Sequence, residues 1–68
     1  ETHQEMNDYA EALIKQLEER KLETTRFIGS GGCKTFDEYQ RLCGLIQGLE
    51  HAQNLISDLA KRMENDDE

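Results

Sequence analysis

The sequence predicts an all-α fold, an antiparallel hairpin of two helices, and three observations carry that reading. Proline is absent from the 68 residues, which suits long uninterrupted helices and argues against a loop-rich β fold. Apolar residues recur every three to four positions on both sides of a single break, the period of an amphipathic helix. The break itself, Gly29-Ser30-Gly31-Gly32, stands near mid-chain, and glycine clusters end helices because they tolerate positive φ. The chain therefore reads as one domain, 1–68, with a helix over about 4–28, a glycine-rich turn at 29–35, a helix over about 36–63 and an acidic tail at 64–68. At 1.5 Å per residue the helices are about 37 and 42 Å long. Matched lengths and a short turn imply that they pack against each other, antiparallel.

In the first helix Met6, Tyr9, Ala10, Leu13, Ile14 and Leu17, followed by Leu22, Phe27 and Ile28, supply the apolar stripe. Asn7 and Asp8 come early and Arg20, Lys21 and Arg26 late, an order that complements the helix dipole. Gly29 follows Ile28 where a C′ glycine is expected. The second helix opens with a capping box. Thr35 is the expected N-cap, and Glu38, three residues on, reaches back to its backbone N–H. From there Leu42, Leu45, Leu49, Ala52, Ile56, Leu59 and Met63 fit alternating a and d positions of a heptad, with Tyr39, Ile46 and Ala60 at e and Leu55 at g. Asp37–Arg41, Asp58–Arg62 and Glu11–Lys15 are acid-before-base pairs at i,i+4.

Size and charge exclude several functions. A chain of 7.9 kDa offers two helices, which cannot build the concave walls of a conventional active site. Apolar residues never run together for the length of a membrane span. The net charge is −7, from 15 acids against 8 bases, and such a surface repels nucleic-acid backbones. It is unevenly spread. Residues 1–14 carry four acids and no base, 15–41 six bases against five acids, and 42–68 six acids against two bases, giving −4, +1 and −4. In a hairpin both acidic segments meet at the end that holds the termini.

Chemistry-bearing motifs are sparse, and no cofactor is expected. Cys33, Cys43, His51 and His3 are the available zinc ligands, but their spacing lacks the close pairs of a structural zinc site, so Cys43 reads as a small core residue. With the second helix in between, the two cysteines stand too far apart along the axis for a disulfide, and an unpaired couple fits a reducing compartment. Cys33, beside Lys34 at a helix N-terminus, is expected to have a lowered thiol pKa. It has no base beside it, Ser30, Ser57 and His51 form no triad, and the glycine cluster is not a phosphate loop. The sequence predicts no enzyme.

What it predicts instead is an interaction surface. The apolar face of the second helix is wider than one two-helix seam requires, so a hairpin is expected to be completed by oligomerisation or by docking on a protein partner. Gly44, Gly48 and Ala52 form a small-xxx-small row inside a helix, where each glycine costs about 1 kcal/mol relative to alanine. Two reasons suit it: room for Tyr9 or Phe27 of the first helix, or close approach of another chain. The interface candidates are Tyr39, Leu42, Gly44, Ile46, Gly48, Leu49, Ala52 and Ile56.

The stretch from Gly32 to Leu49, with its glycine-rich turn, its Phe36-Asp37-Glu38-Tyr39 segment and its Gly44-Leu45-Ile46-Gln47-Gly48-Leu49 run, resembles small acidic helical proteins of tailed, podovirus-like bacteriophages. Tyr39, Gly44, Gly48 and Leu49 carry the likeness, which spans about residues 29–60. The resemblance implies viral origin, a place in the virion or the host cytoplasm, and an accessory role beside a larger head, portal or tail component; it supplies no mechanism. Two alternatives follow from charge and architecture. One is an inhibitor of a host protein that imitates DNA with its carboxylates. The other is a Rop-like dimeric regulatory bundle, for which Lys15, Arg20, Lys21, Arg26 and Arg41 would have to read RNA.

Overall fold

The computed structural model describes residues 2–66, and the side chains of 5–65. Two helices make up the fold: α1, Thr2–Gly29, and α2, Phe36–Asp66, joined by a short turn and lying side by side. The hairpin is a slab of 51 × 15 × 11 Å between Cα atoms, with a radius of gyration of 15.6 Å, against about 11 Å for a compact chain of this length. Both helices outrun their predicted limits. The predicted acidic tail continues α2 through Glu64, Asn65 and Asp66, while Asp67 and Glu68 lie outside the described residues.

The turn is built by a Schellman motif. Gly32 N donates to Phe27 O at 2.9 Å and Gly31 N to Ile28 O at 3.1 Å, the paired 6→1 and 5→2 bonds that close a helix C-terminus. The residue in the left-handed region is Gly31, φ 82°, not Gly29, which remains helical. The predicted C′ position is thus corrected by two residues: Ser30 N still reaches Arg26 O at 2.9 Å, so α1 winds on until Gly31 reverses it. Gly32 then lies under the Phe27 ring, where an added Cβ would meet ring carbons at 2.5–2.7 Å.

At the start of α2, Thr35 Oγ1 accepts the Glu38 N–H at 3.0 Å, as an N-cap should. The reciprocal half of the box is shifted by one residue: the Glu38 carboxylate accepts the N–H of Lys34, at 2.7 Å, rather than that of Thr35. The three predicted i,i+4 pairs are not among the ion pairs seen. Among the described residues, those seen centre on Lys21, 3.3 Å from Glu18 and 3.5 Å from Glu50.

Where the helices meet, half-buried residues alternate at three and four: Asn7, Ala10, Ile14, Leu17, Lys21, Thr24 and Ile28 on α1, and Leu42, Ile46, Leu49, Gln53, Ile56, Ala60 and Met63 on α2. This corrects the predicted heptad. Leu42, Leu49, Ile56 and Met63 keep their places, but the positions between them that face α1 are Ile46, Gln53 and Ala60; Leu45 and Leu59 are exposed, and Ala52 is half-buried at the edge of the seam. The reason is polar. Lys21 occupies a seam position with 19% of its side chain exposed, and Gln53 stands opposite. Lys21 Nζ donates to Gln53 Oε1 at 3.2 Å, and Gln53 Nε2 donates to Ile14 O and to Glu18 Oε1, both at 3.1 Å. A half-buried ammonium needs such partners, and a leucine in that place would supply none. Among the described residues no side chain is fully buried.

Candidate protein-interaction face

Heptad geometry gives the hairpin two unlike sides. Flanking the seam on one side are Glu11 and Glu18 of α1 with Cys43, Glu50, Ser57 and Glu64 of α2. This side is polar, and the groove at its termini end runs between Asn7, Glu11, Ser57, Lys61 and Glu64, where Asn7 Nδ2 donates to Glu64 Oε2 at 2.9 Å. Flanking the seam on the other side are Met6, Leu13, Arg20 and Phe27 of α1 with Leu45, Ala52 and Leu59 of α2. Three shallow grooves follow one another along it: Met6, Tyr9, Leu13, Ile56, Leu59 and Met63 line the one nearest the termini, Leu13, Leu17, Arg20 and Leu49 the middle one, and Glu23, Thr24, Phe27, Glu38, Arg41 and Leu42 the one nearest the turn, which is the most polar of the three.

This second side holds six of the ten large apolar side chains left in solvent among the described residues, while Leu22, Phe36, Tyr39 and Leu55 lie off it. Tyr9 is 67% exposed, Leu59 54%, Leu13 49%, Leu45 48% and Phe27 44%. They are not scattered. On α2, Leu45, Ala52 and Leu59 form a second row that shares Leu42, Leu49, Ile56 and Met63 with the row facing α1, so one helix carries two overlapping seams. α1 repeats the arrangement in part, with Met6, Leu13 and Phe27 beside Ala10, Leu17 and Thr24 and with Arg20 interrupting the apolar row. A helix patterned in this way is shaped for two helical neighbours, and each helix of the hairpin has one.

The predicted interface residues separate accordingly. Leu42, Ile46, Leu49 and Ile56 belong to the seam with α1, and Ala52 to the second row. Gly48 lies at the outer edge of the apolar side, and Gly44 faces away from α1. A Cβ on either glycine would meet nothing within 4 Å, so neither makes room for Tyr9 or Phe27. Tyr39 stands at the turn end, 42% exposed, its ring 6.1 Å from that of Phe36. A hydrogen bond with Cys43, with that thiol's charge and desolvation behind it, raises its phenol pKa.

The remaining candidates for chemistry come to little. Both cysteines are free thiols. The expected lowering of the Cys33 pKa is reversed: desolvation, then the charges of Glu38 and Cys43, push it up, with only Arg41 opposing. Among the described residues no three His, Cys, Asp or Glu side chains gather as a metal site; the side chain of His3 lies outside them. No described helix is long and apolar enough to cross a membrane. The five bases that an RNA-reading face would need do not share one: Lys21 is held in the seam, Arg20 and Arg41 edge the apolar side, Lys15 the polar side, and Arg26 points outward.

The polar layer in the seam is a feature that sequence periodicity passed over. Desolvation works against the charged form of Lys21, but hydrogen bonding and charge from Glu18, then Glu50, outweigh it and raise the pKa above 10.5. Glu18 is lowered below 4.5, first by its hydrogen bond from Gln53 and then by Lys21. The signal was available: Gln53 is a polar residue at heptad spacing from Ile46 and Ala60.

No family model matches the chain, and no curated protein or solved structure matches it either.

Proposed function

We propose that the chain is a non-enzymatic assembly module, a helical hairpin whose apolar side is covered by protein. One observation carries this reading: the described residues include no buried side chain, while Met6, Tyr9, Leu13, Phe27, Leu45 and Leu59 lie exposed along the same side. Contiguous apolar surface of this kind marks protein contact sites on soluble chains. The resemblance of residues 29–60 to small tailed-phage proteins supports a virion or assembly accessory, with a head, portal or tail component as its larger neighbour. The DNA-imitating alternative draws less support from the polar side, where Lys15, Lys21 and Lys61 interleave with Glu11, Glu18 and Glu50 and break up any phosphate-like row of carboxylates.

The test is copurification. Particles banded on a density gradient should carry the chain in fixed stoichiometry, and Leu13→Glu should remove it from them while Leu22→Glu, an exposed leucine on the other side, should not. A chain found only free in the lysate sinks the virion role.

A further inference from the structure

We infer that the partner on the apolar side is a second copy of this chain, bound face to face with its turn against the other copy's termini, so that two hairpins complete one four-helix bundle. The inference rests on the reading that this side is covered by protein, and it names the protein.

Area is the first argument. The hairpin exposes 5468 Å², where a compact monomer of the same mass exposes about 4,400 Å². The excess, about 1,000 Å², is close to the roughly 800 Å² that each partner loses in a standard interface. A single copy of the same slab supplies that much cover along the full 51 Å.

The pattern is the second argument. Both helices carry their spare row on the same side, and a four-helix bundle asks each helix for two seams, one within the hairpin and one across the dyad. The two rows are also self-complementary along the axis. With the dyad crossing near Gln16 and Leu55, the middle of the slab, Met6 of one copy falls beside Phe27 of the other. Leu55, 57% exposed and without a role inside the hairpin, falls beside its own counterpart.

Charge decides the orientation. The termini end gathers the segments of net −4 and −4, while the segment of net +1 surrounds the turn. A parallel dimer would bring two such acidic ends together; the antiparallel one puts each beside a near-neutral turn end, where Arg26, Lys34 and Arg41 offset Glu23, Asp37 and Glu38.

Sedimentation equilibrium across a micromolar-to-millimolar series should give the mass of two chains. Leu59→Glu and Leu13→Glu should each raise the dissociation constant by about thirtyfold or more, the size expected for a central contact, with Leu22→Glu near wild type. Orientation is read separately, from spin labels on Ser30→Cys in a Cys33→Ser, Cys43→Ser background. The two labels should lie about 40 Å apart, one helix length, against about 10 Å, one interhelical spacing, in a parallel dimer. A chain that is helical and of single mass throughout overturns self-association but leaves docking on a different protein intact. A dimer indifferent to Leu13→Glu and Leu59→Glu overturns the assignment of the face as well, and a short label distance overturns the orientation. If the glutamate variants lose helix along with mass, the label distance, taken on an unaltered face, still decides.

Discussion

Replacing Gly31 by alanine, beside the same change at Gly29, tests the turn with two neighbouring methyl groups of opposite expected sign. Gly31 holds φ at 82°, in the region where a Cβ crowds the following carbonyl at a cost of about 1–2 kcal/mol. Alanine also stiffens the unfolded chain, which returns about 0.4–1 kcal/mol, so Gly31→Ala should destabilise by about 1 kcal/mol. Gly29 is helical, and a Cβ there meets nothing within 4 Å. Gly29→Ala should therefore stabilise by about 0.8–1 kcal/mol, the difference in helix propensity. The two variants should stand about 2 kcal/mol apart. Urea unfolding followed by helical circular dichroism at one fixed chain concentration reads this directly. With a slope near 1 kcal/mol/M for a chain this small, the midpoints should separate by about 2 M. Equal midpoints, or a larger loss at Gly29, would refute the assignment of Gly31 as the reversing residue, and Gly31→Asn, which tolerates that region, should recover part of the loss.

Thr35→Ala removes the acceptor of the Glu38 N–H and should cost about 1 kcal/mol in the same assay, with Thr35→Asp close to wild type. Gly44→Ala and Gly48→Ala should each stabilise the fold by about 0.8–1 kcal/mol, since neither Cβ meets a neighbour. At greater bulk the two should part: Gly48→Leu should weaken association with helicity retained, and Gly44→Leu, on the outward surface, should not. Stability should also follow the polar layer with pH. Glu18 has its pKa lowered in the fold, so its contribution is present above the usual 4.5 and is lost as pH falls through the lower, folded value. Lys21 has its pKa raised, so its contribution is complete below 10.5 and is lost as pH rises through the higher, folded value. Gln53→Leu removes the largest cause of the Glu18 shift, and its acid limb should be shallower than that of wild type; parallel limbs in urea midpoints against pH would count against the layer.

The hairpin, its break and the N-cap at Thr35 were legible because each depends on neighbours in sequence. A period, a glycine cluster and a Thr-x-x-Glu spacing are local signals. The left-handed residue was not legible, since Gly29, Gly31 and Gly32 are alike in sequence and the choice is made by which amide reaches Phe27 O. The seam of α2 was misread for a related reason. Leu45, Ala52 and Leu59 complete a wholly apolar heptad, while Ile46, Gln53 and Ala60 include a polar member, so periodicity favours the first row. The choice belongs to the other helix: Lys21 enters the seam and requires the Gln53 oxygen. The excess apolar width of α2 was legible, and its division into two overlapping rows was the part that only the position of α1 could settle.

That no side chain among the described residues is fully buried has a consequence for how this sequence can change. Truncating a sealed core residue leaves a void as well as losing transfer energy, and the void accounts for much of the cost. In an isolated hairpin every seam residue keeps one edge in water, so a shortened side chain at Ile14 or Ile56 leaves a notch that solvent fills. Conservative exchanges along the seam should therefore be mild and gradual. Sharp intolerance should sit at a few positions where geometry, not volume, is at stake: Gly31 for its backbone, Thr35 for its hydroxyl, and Lys21 with Gln53 for their bonds. For the hairpin alone, a substitution scan should be nearly flat with narrow peaks at these sites.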